Sequence, residues 1–177
     1  MGGSAAAGRI PVDRATAAVA AADPQLAAFI ERAGPYDARP GEGDPFTSLA
    51  RAIVFQQLAG RAAAAIYGRF VAAIGGTVAA RAILATSHET LRAAGLSGNK
   101  TLSLIDLATK VDDGTVPLEG IEALADEEII ARLSTVRGIG RWTAEMFLLF
   151  ELERPDVWPV DDLAFATAGR SSTTCRR

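Results

Sequence analysis

A chain of 177 residues with 18 Lys plus Arg against 21 Asp plus Glu carries a formal net charge of -3, and its 49% hydrophobic and 22% charged residues match a folded globular domain rather than a disordered segment. A mildly acidic chain does not coat nucleic acid by bulk charge, although a local basic surface stays open to it. A single cysteine, Cys175, and a single histidine, His88, exclude an internal disulfide, a cysteine-built zinc site and a four-cysteine iron–sulfur cluster, and leave no metal site built from side chains. No apolar run reaches the roughly 18 residues of a membrane span, and the start MGGSAAAGRI lacks the apolar stretch of a secretory signal. The expectation is a cytoplasmic protein with no membrane partner.

Residues 1–22 are rich in alanine, glycine and small polar residues, and read as a loose arm running into a helix whose periodicity becomes clear near Thr16. Asp23 then stands where an N-cap belongs, Pro24 takes the first helical position, and Leu26, Phe29 and Ile30 recur at helical spacing up to Gly34. Pro35, Pro40, Gly41 and Gly43 mark a loop. Asp44 and Pro45 repeat the start signal ahead of Phe46, Leu49, Ile53, Val54 and Phe55, the most apolar helix of the chain, which Gly60 interrupts. Ile66, Tyr67, Phe70, Val71 and Ile74 continue a second run to the Gly75-Gly76 pair. These two helices are expected at the centre of the core.

Two short helices follow between Thr77 and Gly95, the second with Thr86 and Glu89 at capping-box spacing. Leu102, Ile105, Leu107, Ala108 and Val111 mark a longer one that runs out near Gly114. After Pro117 come a brief helical turn and a clearer helix, with Asp126 as cap and Ile129, Ile130, Leu133 and Val136 on one face. No segment alternates with period two for long enough to make a sheet. The fold class is all-α, a bundle of short helices.

The stretch LSTVRGIGRWTAEMFLLFELERPDVWPVDD, from Leu133 to Asp162, carries the chemistry. One helix ends at Val136, Gly138-Ile139-Gly140 turns sharply, and Trp142, Ala144, Met146, Phe147 and Phe150 open the next helix at once. Glycines free the backbone to adopt positive φ and to approach a neighbour closely. Bare N–H groups at such a corner, together with the positive end of a helix dipole, favour an anion such as a phosphate. Arg137 and Arg141 flank the turn and are expected to add charge where the amides point. In isolation a G-x-G corner is more often a plain helix–helix connection.

VRGIGRWTA from Val136 to Ala144, followed by PVDD from Pro159 to Asp162, resembles the helix-hairpin-helix plus Gly/Pro-Asp signature of the DNA glycosylase superfamily, in particular its 3-methyladenine DNA glycosylase II branch. AIVFQQLAGRAAAA, from Ala52 to Ala65, is similar to the segment of that branch that carries a Gln-Gln pair, with Phe55 where relatives usually have glycine. The resemblance implies a helix-hairpin-helix domain over residues 23–165 and a monofunctional glycosylase that hydrolyses the N-glycosidic bond of alkylated purines in base excision repair. Its partner would be double-stranded DNA with alkylated bases, bound by a monomer. A lysine that forms a Schiff base in bifunctional branches stands where this chain has Trp142, so water would be the nucleophile and an abasic site the product.

The resemblance also assigns roles. Asp162, twenty residues after Trp142, would be the catalytic carboxylate beside a sugar that gains positive charge as the bond breaks, whereas Asp161, by its own place after Pro159-Val160 and before Leu163, reads as the N-cap of a following helix. Trp142 would wall the base pocket, where a cationic purine is attracted by stacking and cation–π contact. Gln57, with Gln56 beside it, would enter the stack where the base has left; the plainer reading is a polar helix C-terminus. Gly138, Ile139, Gly140, Arg137 and Arg141 would hold phosphate. No cofactor is implied, and a monovalent cation at the hairpin backbone carbonyls is left open. Lys100, Arg51, Arg61 and Arg69 read as solvated charges, Tyr67 and Trp158 as packing, and His88 and Cys175 as residues without a role. Members of the branch continue after the aspartates with further helices and an Arg-Pro-Trp-Arg-like element, whereas LAFATAGRSSTTCRR follows here, so residues 166–177 are expected to be a disordered, non-native tail of a truncated domain.

Overall fold

Nine α-helices and one 3₁₀ turn make up the described residues of the computed structural model, which are 12–35, 44–154 and 156–159, and no strand occurs among them. Both Asp-Pro signals start helices as their chemistry requires. Asp23 accepts from the N–H groups of Gln25 at 2.7 Å and Leu26 at 3.3 Å to cap α2 (Pro24–Ala33), and Asp44 accepts from Phe46 at 2.9 Å and Thr47 at 3.1 Å to cap α3 (Pro45–Phe55). The first helix, α1 (Val12–Ala22), begins four residues earlier than its periodicity indicates and packs against α2. The apolar face of α2 is present but uncovered by the described residues, with Leu26 45% and Phe29 59% exposed.

The core centres on α3 and α7 (Gly98–Asp112), not on α3 and α4 (Gly60–Ala73) as the sequence leads one to expect. Helix α3 buries Phe46, Leu49, Ala50, Ile53 and Val54, while α4 buries only Ala63 and Phe70 and lies at the flank. Helix α7 is packed by α3, by α5 (Ala80–Leu84) and by α6 (His88–Ala93), and its buried face is a broad one that takes in polar as well as apolar residues. Leu104, Leu107 and Ala108 are fully buried, Leu102 stays 43% exposed, and the polar Thr101 and Ser103 are inside. Thr101 is accommodated because its hydroxyl donates to Ser97 O at 3.1 Å.

Two caps shift by one residue. Ser87, not Thr86, caps α6 by accepting from Thr90 N–H at 3.1 Å, and Thr86 instead donates its hydroxyl to Ala82 O at 2.8 Å. Helix α8 (Asp126–Leu133), which follows the 3₁₀ turn Ile121–Ala123, is preceded by Ala125; Asp126 is its first residue and pairs with Arg154 at 3.3 Å. The Arg154 guanidinium also donates to Glu122 O at 2.7 Å and Leu124 O at 3.0 Å, which fastens the chain beyond α9 (Arg141–Phe150) to the start of α8. The α8–α9 pair is thereby closed at the end away from its turn.

Helix α7 seats that turn. Asp106 Oδ2 accepts from Arg137 N–H at 2.7 Å and from Lys110 Nζ at 2.7 Å, and Lys110 donates further to Thr135 O at 2.6 Å. Burial alone would raise the Asp106 pKa; the hydrogen bonds from Arg137 N–H and Lys110 and the nearby positive charges outweigh it and hold the carboxyl below its ordinary 3.8. A carboxyl with a depressed folded-state pKa stabilises the fold above its unfolded pKa and loses that contribution as pH falls through the folded value. The Asp106 contribution is therefore whole at neutral pH and is lost as the pH falls from about 3.8 through the lower folded value. Asp106→Ala is expected to cost about 1.5–3 kcal/mol at pH 7 and to flatten the acid limb of the stability curve, as read by urea melts between neutral and acid pH.

The glycines of the turn should differ sharply on substitution. A Cβ on Gly138, whose φ is +78, would lie 2.6 Å from Ser103 Oγ and 3.3 Å from Ser103 Cβ, whereas one on Gly140, whose φ is -94, would meet nothing within 4 Å. Gly138→Ala is expected to destabilise by about 1–3 kcal/mol, Gly140→Ala by about 0.5 kcal/mol or less, and Ser103→Ala to recover part of the first loss, all measurable by denaturant midpoints.

Candidate nucleic-acid interface

The corner expected from VRGIG is formed by successive tight turns. Val136 N–H donates to Leu133 O at 3.0 Å, Ile139 N–H to Val136 O at 3.0 Å, and Gly138 supplies the left-handed residue. Ile139 is buried and anchors the corner, while Gly140 is the N-cap of α9 and offers no side-chain oxygen to the first-turn N–H groups. The two glycines thus divide the work: Gly138 is crowded inward against Ser103, and Gly140 lies on the open side.

The flanking arginines differ in the same way. Arg137 is exposed, and its guanidinium touches only Asn99 Oδ1, at 3.3 Å, among the described residues. Arg141, expected to add free charge beside the amides, is instead gripped by carboxylates. It makes a two-pronged pair with Glu127, at 3.0 and 2.5 Å, and donates Nε to Glu145 at 2.9 Å. The hydrogen bond and charge of Glu127, followed by those of Glu145, push the guanidinium pKa further up. Glu145 is only 3% exposed, and its Oε2 has no partner among the described residues. Arg141 is therefore the strut that allows a carboxylate to be buried in α9 and ties the start of that helix to α8.

Beside the corner lies a cavity of about 550 Å³ that brings together residues far apart in sequence. Ala52 and Phe55 line it from α3, Gln56 and Gln57 from the turn after α3, and Gly138, Trp142, Thr143 and Met146 from the hairpin and α9. Trp142 is 42% exposed at the edge, which separates it from a core-filling tryptophan. Phe55, where relatives usually carry glycine, is set by its neighbours: the Arg51 guanidinium lies 4.8 Å from its ring centre, and Tyr67 meets it edge-on at 6.0 Å. A second hollow of about 290 Å³ shares Ala52, Phe55, Thr143 and Met146 and extends to Phe150 and the hydrogen-bonded Ser48–Glu151 pair.

Gln56 is the C-cap of α3, the polar helix end of the plainer reading, and Gln57 follows it in the turn with φ 57. Gln57 is exposed, whereas the Gln56 amide donates to Gly138 O at 2.9 Å. Lys100, read as a solvated charge, donates to Val54 O at 2.6 Å, and its burial lowers its pKa. Arg69 likewise is a structural donor, to Ala94 O at 3.0 Å. Asp161, Asp162 and the tail, residues 166–177, lie outside the described residues. Among those described, no group of three or more His, Cys, Asp or Glu side chains could hold a metal ion, and no helix is long and apolar enough to cross a membrane.

Residues 50–171 match the model of the HhH-GPD superfamily of base excision DNA repair proteins. The chain is 41% identical over 130 residues to DNA-3-methyladenine glycosylase 1 of Schizosaccharomyces pombe, an alignment covering 72% of this chain and 57% of that protein. It therefore spans little more than half the length of this relative. Among solved structures, the 3-methyladenine DNA glycosylase of the same yeast, in complex with abasic DNA, superposes with a TM-score of 0.78 at 36% identity, over 89% of this chain and 79% of that one. A DNA-3-methyladenine glycosidase from Bacillus halodurans gives 0.73 at 38% identity, over 82% and 67%. The matched span includes the corner and the residues that line the cavity, and the chain belongs to the HhH-GPD superfamily of base excision DNA repair proteins.

Proposed function

We propose that the chain is a monofunctional DNA glycosylase that hydrolyses the N-glycosidic bond of alkylated purines, of the 3-methyladenine type, in double-stranded DNA, acting as a monomer. The observation that carries this reading is the convergence of Trp142, Gln57 and Gly138 of the corner on one open cavity. The likeness to 3-methyladenine glycosylases supports it.

The chemistry follows from the substrate class. An N-alkylated purine is already cationic, so it leaves with the electron pair of its bond to the sugar as a neutral base, and no proton need be delivered to it. The positive charge passes to the sugar, and what lowers the barrier is a fixed carboxylate beside it. Asp162 is assigned that role, and would take the proton of the attacking water as its oxygen bonds to the anomeric carbon. Trp142 and Phe55 offer flat, electron-rich rings to a cationic base. Gly140 and the first-turn amides of α9, with Arg137 beside them, would take a backbone phosphate and fix the position of the sugar. Gln57, exposed at the tip of its turn, would fill the space left in the duplex. Arg141 is assigned to the scaffold because its charge is spent on Glu127 and Glu145. The hairpin carbonyls of Thr135, Val136 and Gly138 accept from Lys110, Ile139 and Gln56 and each keeps a second lone pair; no step of the reaction is routed through a cation there.

The direct test is release of free base from methylated duplex DNA under single-turnover conditions. Asp162→Asn is expected to slow release by about 100-fold or more with duplex affinity retained. Base release at the unaltered rate would remove the assignment, and no release by the unmodified chain would leave a noncatalytic DNA-binding module. Trp142→Ala should cost about 0.5–2 kcal/mol in kcat/KM for a cationic lesion and less for a neutral one, which parallel assays on the two lesion types would show.

A further inference from the structure

We infer that Gln56 is a positioning residue and not a wedge: its side-chain amide fastens the Gln57 turn to the hairpin, so that gripping the strand and displacing a base fall to one rigid unit. The inference rests on the glycosylase reading above. It starts from the bond between Gln56 Nε2 and Gly138 O, 2.9 Å long and joining residues 82 positions apart. Thr143 Oγ1 lies 3.4 Å from the same nitrogen. A carbonyl oxygen can only accept, so the nitrogen and not the oxygen of the amide must face Gly138, which fixes how Gln56 points. The side chain is thereby committed to its own protein and withdrawn from the duplex.

The turn is pinned from its other side as well. Lys100 Nζ reaches from the first turn of α7 to Val54 O, in the last turn of α3, at 2.6 Å. Immediately after the pinned residues 54 and 56, Gln57 holds a left-handed conformation at φ 57 that a residue with a Cβ rarely adopts, and such strain persists only where the surroundings impose it. Gln57 and Leu58 are the exposed residues that follow, with Leu58 donating its N–H back to Phe55 O at 3.3 Å. Because Gly138 leaves no room for a Cβ beside Ser103 and the N–H before it is held by Asp106, the Gln56 bond adds a third hold on the hairpin and ties Gln57 to the same seat.

Gln56→Met keeps the length of the side chain and removes its donor. Two measurements decide the matter: amide hydrogen exchange of the DNA-free protein, and single-turnover release of methylated purine from duplex by the wild type, Gln56→Met, Gln57→Ala and the double variant. Exchange should quicken in Gln56→Met at residues 57–59 and 138–140 together, with the amides of α3 and α7 unchanged. Release should slow about 3- to 10-fold, as expected for one lost hydrogen bond, and Gln56→Met should add nothing once Gln57 is Ala. Additive losses would make Gln56 a wedge in its own right and overturn the inference. Unchanged exchange at the hairpin would overturn it whatever the release assay gives. If the wild type releases no base, the glycosylase reading falls, and the exchange measurement still decides whether the latch exists.

Discussion

The contact between Gly138 and Ser103 is the constraint on which the rest of the site depends. A left-handed residue packed so tightly against α7 leaves the hairpin one seat, and Asp106 secures it by accepting from the N–H of the preceding residue. From that seat the geometry propagates in both directions along the chain. Backward, α8 is fixed against α9 by Arg141, which spans Glu127 and the buried Glu145. Forward, α9 leaves the corner with Trp142 turned to the cavity edge and with Ala144, Phe147 and Leu148 buried in the core.

A mildly acidic protein can serve as a local DNA-binding surface under this arrangement because its basic residues are sorted by task. Lys100, Lys110, Arg69, Arg141 and Arg154 spend their donors on carbonyls and carboxylates of the chain itself. At the corner itself Arg137 is the exposed cation without a carboxylate partner among the described residues, so a grip on a strand there would rest largely on backbone amides. Such economy suits an enzyme that must put one sugar beside one carboxylate more than a protein that coats a duplex.

Much of this was legible in the sequence where the signal is local. Asp-Pro starts at residues 23 and 44, the glycine corner and the absence of period-two alternation each rest on neighbouring residues, and each appears in the fold. Family membership was legible for the same reason, since its motifs are short and contiguous. What escaped was tertiary. Nothing near Lys100 or Asp106 marks them as partners of Val54 O and Arg137 N–H, because those partners lie 46 and 31 residues away. Arg141 was read by its place beside the turn, and only the fold brings Glu127 within reach of it. The two glycines looked alike until one was found against Ser103 and the other against open space. Helix α7 is hard to read because the polar Thr101 and Ser103 share its buried face while the apolar Leu102 points outward.

The central claim is that the corner anchors a strand so that an ionised carboxylate meets a sugar bearing positive charge. Affinity for duplexes that differ at one abasic position tests it most directly, one carrying a neutral tetrahydrofuran and the other a cationic pyrrolidine that imitates the charged sugar. Tighter binding of the cationic ring, by about 100-fold or more and lost in Asp162→Asn, is the expected result. Equal affinity for the two rings would contradict it.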